Sequence, residues 1–472
     1  MRSIVLSLFL ATTAFAQAPA TDAKSYVKYD QTILRLTHVR VIDGTGAPAK
    51  EDQTIVISAG KIQSIASASA QAPQSAQMLD LTGDTVIPGL VGMHDHLYYP
   101  APARNLALYP EHAWSFPRLY LAAGVTTIRT TGSVEPYTDL EIKKDIDSGK
   151  MPGPKMEVTG PYLEGKGAFT PQMHELEDAD DARRTVDYWI SEGVTNFKAY
   201  MNITRDELRT SVEEAHKHNL KITGHLCSIG FREAAALGID DLEHGIVVDS
   251  EFAPSKQPDK CPPQKEIRDT LLKLDINGDP VQSMIRDLVA HHVAMTSTLP
   301  VFEGSVPDRP PLRQANLDAM LPEARQSYLA VRDNIAKNAA QSPSPALLKK
   351  EMQFEYAFSK AGGLLLAGPD PTGNGAVVAG YGDQREVELL VEAGFSPLEA
   401  IRIATYNGAQ YLGQLDHIGT LAAGKQADIV VVKGDPSKNI SDIENVEIVF
   451  KDGVGYDPAK LVKDANGFVG LK

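Results

Sequence analysis

The sequence predicts an α/β protein: a (β/α)8 TIM-type barrel with a small composite β-sandwich domain built from both chain ends. Three observations predict it. Through the middle of the chain, eight short apolar runs alternate with helix-like stretches, the pattern of a parallel sheet wrapped by crossover helices. Side chains able to bind cations recur at the ends of those runs, and in a barrel the C-terminal strand ends converge on one face. Two sets of short strand-like runs with turn signals lie at opposite ends of the chain and pack most simply as one β domain. The expected organisation is a leader at 1–16, a first β segment at 17–87, the barrel at 88–414 and a second β segment at 415–472.

The leader has the form of a signal peptide. Arg2 is a short basic region, Ile4–Leu10 an apolar core, and Ala14-Phe15-Ala16 an A-x-A cleavage signal, so cleavage is expected near Ala16. The apolar run is too short to cross a bilayer, which takes roughly 20 residues. The expected destination is therefore periplasmic or secreted. A polar leader, Ala18–Lys28, follows. The first β segment then carries Ile33–Ile42, a turn at Asp43–Gly46, and a strand pair turning at Ala59–Gly60. Its counterpart at the far end is Asp416–Pro436 and Val446–Asp452.

Between them the eight strand-like runs are Val86–His96, Val125–Thr131, Lys155–Pro161, Val194–Tyr200, Lys221–Leu226, Asp240–Gly245, His292–Leu299 and Gly363–Asp370. Helices are expected over Asp178–Glu192, Thr204–His218, Phe231–Leu237 and Asp279–His291, the second opened by a Thr204-x-x-Glu207 capping box. The longest insertion, Val306–Pro345, precedes the eighth strand and serves either as a cover over one barrel end or as surface elaboration.

With 472 residues, 43% of them hydrophobic and 23% charged, the chain can bury a large core and more than one domain. A net charge of −15 argues against nucleic acid or an anionic membrane as partner, since both need a basic footprint. It leaves the oligomeric state open, a homo-oligomer included. Cys227 and Cys261 are the two cysteines. Export permits a disulfide, buried free thiols are the equal alternative, and Cys227, two residues after His225, offers a third choice as a metal thiolate.

The chemistry starts at Val86–Leu97, V-I-P-G-L-V-G-M-H-D-H-L. The side-chain period of a strand is two, so His94 and His96 share a face and Asp95 takes the other. Taken alone, two hydrogen-bonded histidines near a strand end explain the pair better than a metal does. The remaining strand ends change this balance: Lys198 ends the fourth, His225 the fifth, His244 the sixth and Asp370 the eighth. Each has an ordinary alternative: a core histidine, a snorkelling lysine, a turn-capping aspartate. Together the six make a metal site, because imidazole and carboxylate suit zinc and its neighbours.

These residues lie in motifs that resemble the amidohydrolase superfamily: P-G-L-V-G-M-H-D-H-L at Pro88–Leu97, F-K-A-Y at Phe197–Tyr200, G-H-L at Gly224–Leu226, L-E-H-G at Leu242–Gly245 and G-P-D at Gly368–Asp370. The runs Ser396–Ala409 and Gly419–Val432 extend the resemblance downstream. It is strongest to the imidazolonepropionase-like and prolidase-like branch, which includes ochratoxin-hydrolysing amidohydrolases. That branch implies two divalent metal ions, usually zinc, and a carbamylated lysine. Carried over, His94, His96 and Asp370 would bind one metal, His225 and His244 the other, and N6-carboxylated Lys198 would bridge both. A lysine ammonium has no lone pair for a metal, whereas a carbamate is a bidentate anion suited to cations roughly 3.5–4 Å apart. One departure stands out. Many relatives end the second strand in Arg-Asp, where this chain has Arg129-Thr130.

The resemblance implies hydrolysis of an amide by a metal-activated hydroxide, with Asp370 as general base and then acid. Tyr200, two residues after Lys198, leans to the same face and either donates to the developing oxyanion or packs over the rim. A dipeptide or N-acyl amino acid is the expected substrate, with Arg232, Lys166 and Arg385 as possible partners for its carboxylate. Tyr98 and Tyr99 are placed to line the pocket, and His174 is a surface or substrate-contacting residue. The other histidines (His38, His112, His216, His218, His291, His292 and His417) read as ordinary. Two alternatives remain: a cyclic amide hydrolase of imidazolonepropionase type, and a non-catalytic exported binding protein. The intact Asp370 and Lys198 count against the second.

Overall fold

The computed structural model describes residues 22–69, 76–103, 106–372 and 375–470. The expected signal peptide lies outside the described residues. Among the described residues no helix is long and apolar enough to cross a membrane.

The central domain is a (β/α)8 barrel of parallel strands. They run in chain order as Leu90–Asp95, Val125–Thr130, a divided third strand, Asn196–Ala199, Lys221–Gly224, Asp241–Glu243, Ala294–Ser297 and Leu365–Ala367. Helices cover the outer face and strand side chains fill the interior, so Leu90–Asp95, Val125–Thr130, Asn196–Ala199 and Ala294–Ser297 are buried throughout their length. The third strand differs from the single run Lys155–Pro161. Lys155–Glu157 pairs with strand two, and Thr159–Leu163 pairs with strand four. The cause is local: Thr159 N donates to the Thr130 side chain (3.0 Å) instead of continuing the ladder. The seam between strands eight and one is bridged by Asp370 N, which donates to His94 O at 3.0 Å.

The run Val86–His96 is likewise two strands, broken at Gly89. Asp84–Pro88 belongs to the β domain and Leu90–Asp95 to the barrel. At Gly89 the backbone passes so close to Thr126 that a Cβ would overlap its side chain, 2.8 Å from Thr126 Cβ.

Both chain ends meet in one β domain. Ile429–Lys433 lies antiparallel to Asp84–Pro88, Ile429 opposite Pro88 and Lys433 opposite Asp84. From this ladder the sheet extends to Ile33–Val41, Lys50–Ser58 and Lys61–Ser67 on one side, and to Val446–Lys451, Val454–Tyr456 and Val27–Tyr29 on the other. The strands are hydrogen-bonded into one sheet that encloses a shared core, with Leu36, Ile55 and Ile57 from one end and Ile429, Ile448 and Phe450 from the other.

The helices follow their sequence signals. Asp178 accepts from Asp181 N (2.8 Å) to cap Ala179–Glu192. Thr204 and Glu207 exchange both bonds of a capping box before Arg205–Lys217. Cys227 and Cys261 form a disulfide, which removes the free-thiol and metal-thiolate alternatives. The insertion folds into helices Gln314–Ala319 and Pro322–Lys337.

Gly368 is fixed by the seam, because a Cβ there would sit 2.7 Å from His94 Cα. Gly368→Ala is therefore expected to lower the melting temperature and the bound-metal stoichiometry together. A variant with wild-type stability and metal content would show that the seam tolerates displacement.

Candidate metal centre

The strand ends converge as the barrel requires. His94, His96, Lys198, His225, His244 and Asp370 line a single cavity of about 300 Å³ at the C-terminal face. Five of the six are buried, Asp370 among them at 8%, and His225 is half-buried and the most accessible of the set. The nitrogen and oxygen ligand atoms of His94, His96 and Asp370 lie within 4.8 Å of one another. Asp370 Oδ1 is 3.4 Å from His96 Nε2 and 3.8 Å from His94 Nε2. The ring centres of His225 and His244 are 4.4 Å apart, and those of His94 and His244 are 4.6 Å apart.

Hydrogen bonds behind the cavity fix which nitrogen faces it. Nδ1–H of His94 donates to Glu243 Oε2 (2.6 Å), and Nδ1–H of His96 donates to Gly132 O (3.2 Å). A carboxylate and a carbonyl only accept, so in both rings the Nε2 lone pair is left toward the cavity. Lys198 Nζ donates to that Nε2 of His94 at 3.1 Å. His244 Nδ1 bonds Thr298 Oγ1 at 2.8 Å. These oriented lone pairs beside a carboxylate are the donor set of a divalent metal site, so the residues present fit one.

Electrostatics agree with this fit. Burial keeps the imidazoles neutral: His94 and His244 are pushed well below the usual histidine range, and His225 down to about 3, with the Lys198 charge adding to the effect. Burial also lowers Lys198 to about 8, against the pull of Glu243 and Asp370. Thr372 Oγ1 donates to Asp370 Oδ1 at 2.6 Å and sets its orientation.

The support for His94 was not among the residues expected from sequence. Glu243 is itself held by Arg129 Nη2 (2.9 Å), which also bonds Asp241 Oδ2 (2.8 Å), while Arg129 Nε donates to Met93 O (2.8 Å). Glu243 stood beside His244 in the L-E-H-G motif. Its alternation to the opposite side of the strand from Leu242 was the available signal. At the Arg129-Thr130 departure, Arg129 anchors this network and Thr130 receives Thr159 N.

The remaining candidates divide. Tyr98 and Tyr200 line the cavity with Tyr109, Tyr162, Phe169 and Phe302, and the Tyr200 ring lies 4.9 Å from that of His225. Tyr99 does not; its hydroxyl donates to Gly375 O (2.7 Å). Arg232, Lys166 and Arg385 are not in the lining. Arg232 pairs with Glu251 and Arg385 with Glu303 and Glu388, so both guanidiniums are already neutralised by carboxylates outside the metal cavity, and Lys166 is exposed. His174 pairs with Asp181 at 2.8 Å on the surface.

Residues 85–253 and 379–456 match the amidohydrolase family. The chain belongs to this family. Over 125 residues this amidohydrolase is 30% identical to an allantoinase of Streptomyces avermitilis, a match taking in 25% of the chain and only 26% of that protein. Two solved structures share its fold over most of its length. One is a Xaa-Pro dipeptidase with methionine in its active site, with TM-score 0.67, 20% identity, and cover of 90% of this chain and 100% of that one. The other is an ochratoxinase of A. niger, with TM-score 0.64, 18% identity, and cover of 90% and 95%.

Glu243→Gln keeps the volume but weakens the acceptor for His94 Nδ1–H. It is expected to weaken metal retention about 10–100-fold, read by competition with a chelator on folded protein. Unchanged retention would reduce Glu243 to a space-filling role.

Proposed function

We propose that the protein is an exported, metal-dependent amidohydrolase that cleaves a linear amide or peptide bond, in a dipeptide or an N-acyl amino acid. The observation that carries this is Asp370: an oriented carboxylate facing the same cavity as the two fixed imidazoles, 3.4 Å from one of them. Export rests on the leader's Arg2, Ile4–Leu10 and A-x-A pattern.

His94, His96 and Asp370 would hold one divalent ion and His225 and His244 a second, with carboxylated Lys198 between them; zinc suits the donors. Bound metal supplies an acidified water and a polarised scissile carbonyl. Asp370, held by Thr372, takes the proton of the attacking water and returns it to the leaving nitrogen. That return is essential, because an unprotonated amine leaves an amide poorly. Tyr200 stands over the His225 side of the cavity and is the hydroxyl placed to donate to the developing oxyanion. Tyr109, Phe169, Phe302, Val248 and Val301 supply an apolar wall around one buried lysine, which favours a substrate with an aromatic or large aliphatic side chain.

A panel of dipeptides and N-acyl amino acids, assayed with zinc and with a chelated control, is expected to show chelator-sensitive hydrolysis, best with aromatic members. Hydrolysis of no linear amide would overturn the proposal; ring opening of a cyclic amide in its place would support the imidazolonepropionase-type alternative. Asp370→Asn is expected to lower kcat by about 10²–10⁴-fold with metal still bound, and an active variant would remove its proton role. Lys198→Ala is expected to lose activity and to recover part of it with short-chain carboxylates standing in for the carbamate.

A further inference from the structure

Two short segments flank and hold His244. Gly245–Val247 is the turn that follows it, and Ser297–Leu299 carries Thr298, whose hydroxyl bonds His244 Nδ1 at 2.8 Å. His244 itself has left-handed backbone, with φ +69°, which a residue other than glycine keeps only where its neighbours hold it. Three buried glutamates on two helices grip these segments. Glu351, on Ser344–Lys360, accepts Val247 N at 2.8 Å, and the Gly245 backbone lies so close that a Cβ there would overlap Glu351 Oε1. Glu355, one turn along the same helix, accepts the Ser297 hydroxyl at 2.8 Å. Glu386, on Tyr381–Glu392, accepts Leu299 N at 2.9 Å. We propose that Glu351, Glu355 and Glu386 share protons and, in that form, position His244 by clamping the segments on either side of it.

Each carboxyl uses one oxygen for its grip and leaves the other, Oε1, without a hydrogen-bond partner, on residues no more than 1% exposed. A carboxylate only accepts, so three ionised groups here would bury three charges and three unpaired oxygens together. The three are neighbours. Glu351 and Glu355 stand four residues apart on one helix face, and the Ser297 hydroxyl acts on both Glu355 and Glu386. A proton on one carboxyl supplies the O–H that a neighbour's free oxygen lacks, and it removes a buried charge at the same time.

The surroundings offer no cation to do this instead. Among the described residues no basic side chain pairs with any of the three. Asp383, on the helix of Glu386, adds negative charge, with Asp95 beside it. Gly245–Val247 and Leu365–Ala367 carry no titratable side chain, and helices Gln264–Lys273 and Asp279–Ala290 bury only apolar residues. The nearby cations are committed: Lys350 to Leu274 O, Arg385 to Glu303 and Glu388, Lys360 to Glu399 and Arg313 to Glu444.

Burial pushes Glu351 up to about 8 and Glu355 and Glu386 well above the usual carboxyl range, and their mutual repulsion adds to it. The native protein therefore holds protons that the unfolded chain gives up at about pH 4.3. The clamp's stabilisation is complete below that pH and is lost as pH rises through the folded values, that of Glu351 being about 8. The hold on His244 rests on its reading as a metal ligand; the sharing of protons does not.

The test uses full-length wild type and Glu355→Gln, because glutamine keeps the shape and supplies a donor without a charge. Glu386→Gln is the second variant, expected to behave alike, and it serves if Glu355→Gln does not fold. With chelator present, the melting temperature of the variant relative to wild type is expected to rise by about 2 °C or more between about pH 5 and about pH 9. The infrared difference spectrum at neutral pH is expected to show a protonated carboxyl band lost in the variant. With zinc bound, chelator competition is expected to give equal retention at acid pH and about tenfold better retention by the variant at alkaline pH. A melting-temperature gap that does not change with pH, or a variant that loses no protonated carboxyl band, overturns the proposal. A gap that widens while relative zinc retention stays constant overturns the hold on His244. Wild type that binds no zinc at any pH defeats the metal-centre reading and with it that hold, while the two metal-free measurements still decide the proton sharing.

Discussion

The seam between the first and eighth barrel strands governs the rest of the structure. Asp370 N bonds His94 O across it, and Gly368 lets the two backbones approach. Three of the metal-site side chains, His94, His96 and Asp370, stand on either side of this one contact. Their mutual distances are thus a property of barrel closure. A barrel closes only when strand number, tilt and stagger agree, so every strand contributes to the spacing of these three atoms.

Closure brings charges into the barrel interior, and the structure compensates them. Arg129, nearly inaccessible at 1%, lies among Asp241, Glu243 and the carbonyl of Met93. Charges removed from water at such depth are tolerated only when paired and hydrogen-bonded. Here the pairing has a second consequence. Glu243, fixed by Arg129, selects the proton position on His94 and thereby which lone pair looks into the cavity. Burial of the imidazoles then keeps them neutral, the form in which they ligate.

The Leu299–Glu303 helix walls the metal centre with Val301 and Phe302 and a second cavity of about 260 Å³ with Pro300 and Glu303. The insertion anticipated over Val306–Pro345 reaches the end of this helix through Arg332, which donates to Gly304 O and Val306 O, and its Pro322–Lys337 helix approaches the segment at Ala101–Ala103 that follows strand one. It is therefore more than surface elaboration: it builds a chamber that touches the metal centre through five residues.

Much of this was legible in the chain. The two-residue spacing of His94 and His96, the strand-end positions of Lys198, His225, His244 and Asp370, and the Thr204–Glu207 capping box are local patterns, and local geometry decides them. The pairing of the two chain ends was also readable, because neither set of short strands has a partner sheet of its own. What the sequence left open depends on distances between remote segments. The break at Gly89 comes from the proximity of Thr126, and the division of strand three from the Thr130 hydroxyl. The pairing of Cys227 with Cys261, the hold of Glu243 and Thr298 on their histidines, and the diversion of Arg232 and Arg385 to other carboxylates are of the same kind. The sequence by itself determined the residue types, their period and hence the fold class. Only the tertiary structure decided which nitrogen faces the cavity and which carboxylates take Arg232 and Arg385, because hydrogen bonds and ion pairs act over a few ångströms that chain order does not encode.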